Sequence, residues 1–237
     1  MICEQIVAMG GGGFSMEQSP LLDDYILDIC GKECPKICFV PTATGDSEGY
    51  ILRFYRRFGR ANCSPTDLKL FEREITDLEA FACSQDIIYV GGGNTANMLA
   101  VWHVHGFDSA LRKALSSGTV LAGLSAGSLC WFESGVTDSF GKELKEINCL
   151  RFLPGSYCPH YDSEEQRRLS YQSLVERGMV GGYAVDDGVG LHFINGHLHK
   201  VVSSRTHAKA YRVESLKGRA VETPITPILL DKVITRK

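Results

Sequence analysis

No block of like charge interrupts this chain. Its 25 Lys and Arg are interleaved with 28 Asp and Glu, leaving a formal net charge of −3, so it offers no electrostatic footprint for nucleic acid or for a membrane surface. Met1 to Met9 run straight into an apolar, strand-like segment and lack the basic region, long apolar stretch and small-residue cleavage site of a secretory signal. A cytoplasmic protein is expected. No Pro/Gly/Ser linker, low-complexity tract or internal repeat divides residues 1–237, which predicts one domain. Nine Cys are too few for a disulfide scaffold, and an odd number cannot all pair internally; most are expected to be reduced, buried small hydrophobes. Cys30, Cys34 and Cys38 recur every fourth residue, but Cys38 falls in the strand-like Lys36-Ile37-Cys38-Phe39-Val40 and faces away from a helical Cys30. Neither a paired C-x-x-C nor an H-x-x-x-H completes a ligand set, and neither a metal nor a cofactor is expected.

What is present is ordinary globular material: 44% of residues are hydrophobic and 22% charged, enough for a sizeable core. Gln5 to Met9, Lys36 to Pro41, Asp67 to Phe71, Asp86 to Val90 and Val120 to Ser125 read as strands, and their continuous apolar character implies a parallel sheet buried on both faces. Leu21 to Ile29, Glu48 to Phe58, Thr95 to His103 and Phe107 to Leu115 carry apolar residues at helical spacing. Repeated βα units of this kind predict an α/β fold, a three-layer α/β/α sandwich with a mostly parallel sheet. After about Gly181 the pattern changes. Tyr183 to Ile194, Gly196 to Ser203 and Lys209 to Val213 alternate around an Asn195-Gly196 turn signal, predicting a late antiparallel hairpin. From Lys217 onward the chain is less patterned and reads as a loose extension.

The strongest chemical signal is Val120-Leu121-Ala122-Gly123-Leu124-Ser125-Ala126-Gly127-Ser128, a buried strand running through G-x-S-x-G into a helix start. At such an elbow side chains two residues before or after the Ser would collide with neighbouring chain, so Gly123 and Gly127 permit the turn and Ser125 Oγ is exposed at the carboxyl edge of the sheet. The following helix aims its N-terminal amides there, so the Ala126 N–H can donate to an oxyanion. Ile87-Ile88-Tyr89-Val90-Gly91-Gly92-Gly93-Asn94 empties into glycines at the same edge, where backbone amides of Gly92 and Gly93 can turn toward a substrate carbonyl. The simpler reading of that loop is a tight βα turn with Asn94 as N-cap.

A nucleophilic Ser needs a base. Of seven His, only His160 combines a loop position with polar company, in Cys158-Pro159-His160-Tyr161-Asp162. Ser163-Glu164-Glu165-Gln166 then reads as a capping box that fixes the chain just after it. The acid that orients the His belongs in a partly buried turn, and two places qualify: Asp138, after Gly135-Val136-Thr137, and Asp186-Asp187-Gly188. The run Gly10 to Gly13 fails the dinucleotide-binding spacing, since Ser15 stands where the last glycine is needed, and is read as wall or floor of the substrate cleft.

These residues resemble the dipeptidase E and cyanophycinase group of serine peptidases, whose fold is similar to that of class I glutamine amidotransferases. The resemblance rests on the opening strand with its Gly loop, Phe39-Val40-Pro41-Thr42-Ala43, Val90-Gly91-Gly92-Gly93-Asn94-Thr95, Gly123-Leu124-Ser125-Ala126-Gly127, Pro159-His160-Tyr161 and Asp187-Gly188. It implies Ser125 as nucleophile, His160 as base, amides near Gly92 or Gly93 with Ala126 as oxyanion hole, and Asn94 and Glu164 beside the substrate. Asp138 matches an acidic residue implicated in the dipeptidases. Asp187 matches a Glu that family structures place beside the His. Dipeptidases that cleave after an N-terminal aspartate carry an Arg where Glu164 stands here, and a Glu there repels an aspartyl side chain unless Arg168 or Arg151 substitutes.

The expectation is therefore a serine peptidase acting on small peptides, working without a metal or cofactor, with a homodimer as a guess from exposed sheet edges. Two rivals stand beside it. An α/β-hydrolase esterase would share the order Ser125, Asp138, His160; a non-catalytic binding protein on the amidotransferase fold would keep Ser125 only as a relic.

Overall fold

Apolar runs become strands and the amphipathic runs between them helices through the first half of the chain. In order these are β1 (Gln5–Met9), α1 (Gly13–Met16), α2 (Leu21–Ile29), β2 (Lys36–Val40), α3 (Glu48–Phe58), β3 (Ser64–Asp67), α4 (Leu78–Cys83), β4 (Ile87–Val90), α5 (Thr95–His105), α6 (Phe107–Ser116), β5 (Val120–Leu124) and α7 (Ala126–Leu129). The second half supplies β6 (Ser134–Thr137), β7 (Lys145–Asn148), β8 (Ser156–Cys158), α8 (Arg167–Glu176), β9 (Gly182–Val185), β10 (Val189–Ile194), β11 (His197–Ser203), β12 (Ala210–Leu216), β13 (Arg219–Ile225) and β14 (Ile228–Leu229). The structure is a computed structural model and describes residues 2–231.

The main sheet has eight strands in the order β14-β11-β10-β1-β5-β4-β2-β3. β1, β5, β4, β2 and β3 run parallel, and β10 joins β1 antiparallel. Side chains alternate strictly between its faces, as the pleat requires. Val7, Met9, Ile37, Phe39, Tyr89 and Ala122 pack against α2 and α3 through Leu22, Ile26, Phe54 and Phe58. Ile6, Ala8, Cys38, Val40, Ile88 and Leu121 pack on the other side against Met98, Trp102 and Leu111 from α5 and α6. Helices thus cover both faces of the parallel strands, the expected layering.

The Asn195-Gly196 turn joins β10 to β11 with φ of 50° and 78° at its two residues, the positive pair that a type I′ turn requires. Other elements depart from expectation. β3 lies at Ser64–Asp67, not at Asp67 to Phe71, because Asp46 Oδ2 takes the Leu70 and Phe71 N–H groups at 2.7 and 2.8 Å and draws that stretch off the ladder. Pro65 is tolerated because β3 is an edge strand. A second sheet of six strands, β13-β12-β9-β8-β6-β7, forms from segments whose pairing is not apparent in the sequence, and its Tyr157, Val185 and Ala210 join the same core cluster as the α5 and α6 face. The chain from Lys217 is no loose extension over the described residues: Lys217 and Gly218 turn with φ of 54° and 78°, and β13 pairs with β12 from Arg219 to Ile225. Residues 232–237 of that ending lie outside the described residues. None of the nine cysteines is in a disulfide, but only Cys38, Cys130 and Cys158 are buried, fewer than expected. Among the described residues no helix is long and apolar enough to cross a membrane.

Candidate active site

Five strands, three from the main sheet and two from the second, end close together, and the residues just beyond them are where the chemistry collects. β5 gives Ser125, β4 the loop from Gly91 to Asn94, β1 the loop from Gly10, β8 His160, and β9 Asp186 and Asp187. Ser125 has φ 54° and ψ −117°, a backbone conformation that non-glycine residues avoid and that persists only where its surroundings enforce it. The enforcement is visible. A Cβ on Gly123 would stand 2.1 Å from the Gly127 carbonyl oxygen, and one on Gly127 2.3 Å from the Val90 carbonyl oxygen, so both glycines are steric requirements of the elbow. Ser125 N–H donates to the Met9 carbonyl at 3.2 Å. The buried Ser128 hydroxyl, accepting from Met9 N–H at 2.7 Å, ties the elbow to β1.

His160 Nε2 lies 2.9 Å from Ser125 Oγ, and His160 Nδ1 lies 2.7 Å from Asp187 Oδ1. Both members of the His–Asp pair are nearly out of solvent, their side chains 11% and 12% exposed. Burial pushes the Asp187 carboxyl up, but hydrogen bonds from His160 and Ser163, with the His160 and Arg205 charges, outweigh it and hold Asp187 below the usual carboxylate range. An ionised Asp187 only accepts, so Nδ1 carries the proton and the Nε2 lone pair faces the Ser125 hydroxyl. That is the tautomer in which a His can take a proton from a Ser.

The approach of β1 makes room for this pair. A Cβ on Gly11 would fall 2.2 Å from Asp187 Oδ1 and 2.9 Å from His160 Cε1. Gly11 of the Gly10 to Gly13 loop is therefore packed directly against the two side chains. His160 itself has φ 55°, and the chain beyond it is pinned by Tyr161 N–H on the Val185 carbonyl at 3.1 Å. Tyr161 Oη donates to Glu222 on β13, which also accepts from Arg168 Nη2 at 2.6 Å and Gln172 Nε2 at 2.5 Å.

The other expected site residues fall in varied places. Asp138 is exposed just beyond β6; the carboxylate on His160 is Asp187, and the Asp138 loop serves instead through Ser139, whose carbonyl accepts from Asn94 Nδ2 at 3.2 Å. Asn94 is the N-cap of α5, its Oδ1 accepting from Asn97 N–H at 2.9 Å. Its side chain thus holds the start of α5 to the loop after β6. Glu164 pairs with Arg167 Nε at 2.6 Å. The capping box is also corrected: α8 starts at Arg167 with Gln166 as N-cap, because Glu164 N–H donates to the His160 carbonyl at 3.2 Å and residues 161–166 remain in turns and a bend.

Of the three oxyanion amides, Gly92 N–H already donates to Tyr50 Oη at 3.2 Å in a buried position. Gly93 is exposed at φ 139°, a conformation L side chains rarely adopt, and a Cβ there would meet the Ala43 carbonyl oxygen at 2.3 Å. Ala126 follows Ser125 as the first residue of α7, a single turn of four residues, so the amide matters there more than any helix dipole. Tyr50, Asp162 and Arg205 were missed by sequence reasoning. Asp162 had a signal, a carboxylate two residues past the candidate base, whereas nothing local to Tyr50 or Arg205 marked either. His192, in contrast, is structural, buried between Tyr25 Oη at 2.8 Å and Gln5 Oε1 at 3.1 Å. Among the described residues no cluster of three or more His, Cys, Asp or Glu could hold a metal ion.

Ser, His and Asp hydrogen-bonded in series at the carboxyl edge of a parallel sheet, on a strained Ser with backbone amides beside it, define the class of serine hydrolases. The comparisons narrow the class. The chain is 52% identical over 224 residues to the uncharacterized peptidase YgaJ of Bacillus subtilis, covering 94% of this chain and 97% of that protein. It is 26% identical over 197 residues to peptidase E of Pasteurella multocida, covering 77% of this chain and 80% of that one. A crystal structure of a peptidase from an acI-B1 Actinobacterium superposes with a TM-score of 0.75 over 95% of each chain at 16% identity, a likeness of fold. Residues 6–201 match the profile of peptidase family S51, and the chain belongs to that family. It is a serine peptidase of the glutamine amidotransferase-like α/β fold, which sets aside both the esterase and the binding-protein readings.

Proposed function

We propose that the protein hydrolyses small peptides, in the manner of a dipeptidase or other exopeptidase, through an acyl-enzyme on Ser125. The observation that carries the reading is the unbroken contact from Asp187 through His160 to Ser125, at 2.7 and 2.9 Å. Ser125 Oγ attacks the peptide carbonyl while its proton passes to His160 Nε2. The imidazolium so formed is stabilised by ionised Asp187 and returns the proton to the leaving amine as the C–N bond breaks. Water, deprotonated by His160, then releases the acid and restores the Ser hydroxyl. The Gly93 and Ala126 amides support the oxyanion, while Gly92, whose N–H holds Tyr50, shapes the loop. Asp187 is the orienting acid and Asp138 is not. A cytoplasmic setting goes with this reading, supported by nine cysteines held outside any disulfide.

The test is hydrolysis of a dipeptide library varied at its N-terminal residue, with wild type compared against Ser125→Ala. Turnover of dipeptides that the variant loses by roughly 10³-fold or more supports the reading. Cleavage confined to long peptides, or unchanged in the variant, refutes it.

A further inference from the structure

Asp187 meets His160 through its carboxylate, but its backbone is held by two other residues. Asp187 N–H donates to Asp162 Oδ1 at 2.8 Å, and the Asp187 carbonyl accepts from Arg205 Nη1 at 2.9 Å. The same Arg205 nitrogen donates to Asp162 Oδ2 at 2.9 Å. One ion pair therefore closes a ring over both backbone polar groups of the orienting acid. Its members come from separate parts of the chain, Asp162 from the segment after β8 and Arg205 from the turn after β11, where Arg205 N–H donates to Ser203 Oγ at 3.0 Å. The Arg205 stem crosses Gly188, on which a Cβ would come within 2.6 Å of Arg205 Cδ. Gly188, next to Asp187, thus leaves the passage that the guanidinium needs.

We propose that Asp162 and Arg205 are a positioning pair for Asp187, an inference that rests on the serine-peptidase reading of Ser125, His160 and Asp187. The pair acts through the Asp187 backbone, fixing where the carboxylate sits and so how His160 faces Ser125. Its side chains are 28% and 48% exposed, and ion pairs so exposed add little to stability. A large effect on rate with little effect on melting is therefore what separates positioning from mere support.

The experiment follows the rate of Ser125 phosphonylation by a fluorophosphonate probe, with fluoride as the leaving group, for wild type, Asp162→Asn, Arg205→Met, Arg205→Lys and the Asp162→Asn/Arg205→Met double variant, each with its melting temperature. Both single variants are expected to slow this labelling by about 10- to 100-fold, the scale of a small misplacement of a catalytic group. The double variant is expected to be no slower than the worse single one, because the two act as a unit. Lys at 205 recovers part of the rate, and melting stays close to wild type. Wild-type rates in both single variants, a double variant much slower than either single one, or a rate loss that tracks a fall in melting would each overturn the pair. A wild type whose Ser125 does not react would instead remove the peptidase reading beneath it, a result distinct from reactive wild type with unaffected variants.

Discussion

Gly11→Ala places a single methyl group where the reasoning about the site is most exposed to test. Gly11 has a backbone outside the positive-φ region that glycine alone favours, so Ala introduces no conformational strain and acts only through its Cβ. That atom would stand 2.2 Å from Asp187 Oδ1 and 2.9 Å from His160 Cε1, a wedge driven between the base and its orienting acid. Ordinary contact requires the carboxylate oxygen to retreat by about 1 Å, and a shift of that size in a catalytic array costs on the order of 10²-fold. Starting from a 2.7 Å contact, such a retreat carries the His160–Asp187 hydrogen bond to the edge of useful geometry. Complete loss of the orienting contact sets the upper bound at roughly 10⁴-fold, the scale seen when a serine protease triad loses its acid. The assay is the rate of fluorophosphonate labelling of Ser125 with a melting curve for each protein. Gly10→Ala is the contrasting control: its Cβ would meet the Asp186 and Val185 carbonyl oxygens at 2.3 and 2.5 Å, backbone that cannot swing aside, so that variant loses stability first. A folded Gly11→Ala protein that labels at the wild-type rate would refute the packing argument and, with it, the importance of the His160–Asp187 contact.

The remaining expectations are simpler to state. Asp187→Asn is expected to lower kcat/KM by about 10³- to 10⁴-fold, while Asp138→Asn, on an exposed residue, leaves it near wild type; the reverse ranking would return the orienting role to Asp138. His192 predicts acid sensitivity, because burial, with the His199 and Lys200 charges, holds it down at about 4. Its folded pKa is depressed, so the unfolded chain binds the proton first: the contribution is full above about pH 6.5 and is lost as pH falls toward the folded value, at about 1.4 kcal/mol per unit of separation. His192→Gln should therefore move the acid-unfolding midpoint to lower pH, and an unchanged midpoint would show that His192 does not drive the acid transition.

The parallel half of the fold was legible because each element there carries its own signal. Gln5–Met9, Leu21–Ile29 and Glu48–Phe58 occupy the predicted residues to the position, since apolar periodicity and buried β-branched runs are local properties. The six-stranded sheet was not legible, because β6, β7 and β8 are three or four residues each and the β8–β9 pairing that joins them to the rest of the sheet is decided by contacts far along the chain. The same division runs through the site. Ser125 and His160 were readable from what stands next to them, a glycine on either side at two residues' distance and a stiffening Pro159. The choice between Asp138 and Asp187 was not, since both are carboxylates in turns and only the folded chain says which one approaches Nδ1. Tyr50 lies outside local reasoning for the same reason: 42 residues separate it from Gly92, whose amide it accepts.

Charge near the His160 segment bears on which peptides the site accepts. Taken residue by residue, Glu164 would repel an acidic substrate side chain, and Arg168 or Arg151 would be needed to attract one. The folded chain weakens the Glu164 half of that argument and the Arg168 part of the other. Glu164 is paired with Arg167 at 2.6 Å, which cancels much of its repulsion, and Arg168 is held by both oxygens of Glu222 while its guanidinium lies over the Tyr161 and Tyr211 rings at 5.2 and 5.0 Å. Freeing Arg168 for a substrate carboxylate would leave Glu222, 13% exposed, short of its bidentate partner, and stripping a poorly solvated carboxylate of such a partner is expensive. A substrate's acidic side chain would have to outcompete a carboxylate already tethered in place, at high effective concentration and with its ordering entropy already met. Within this segment the cations Arg167 and Arg168 are committed to the fold.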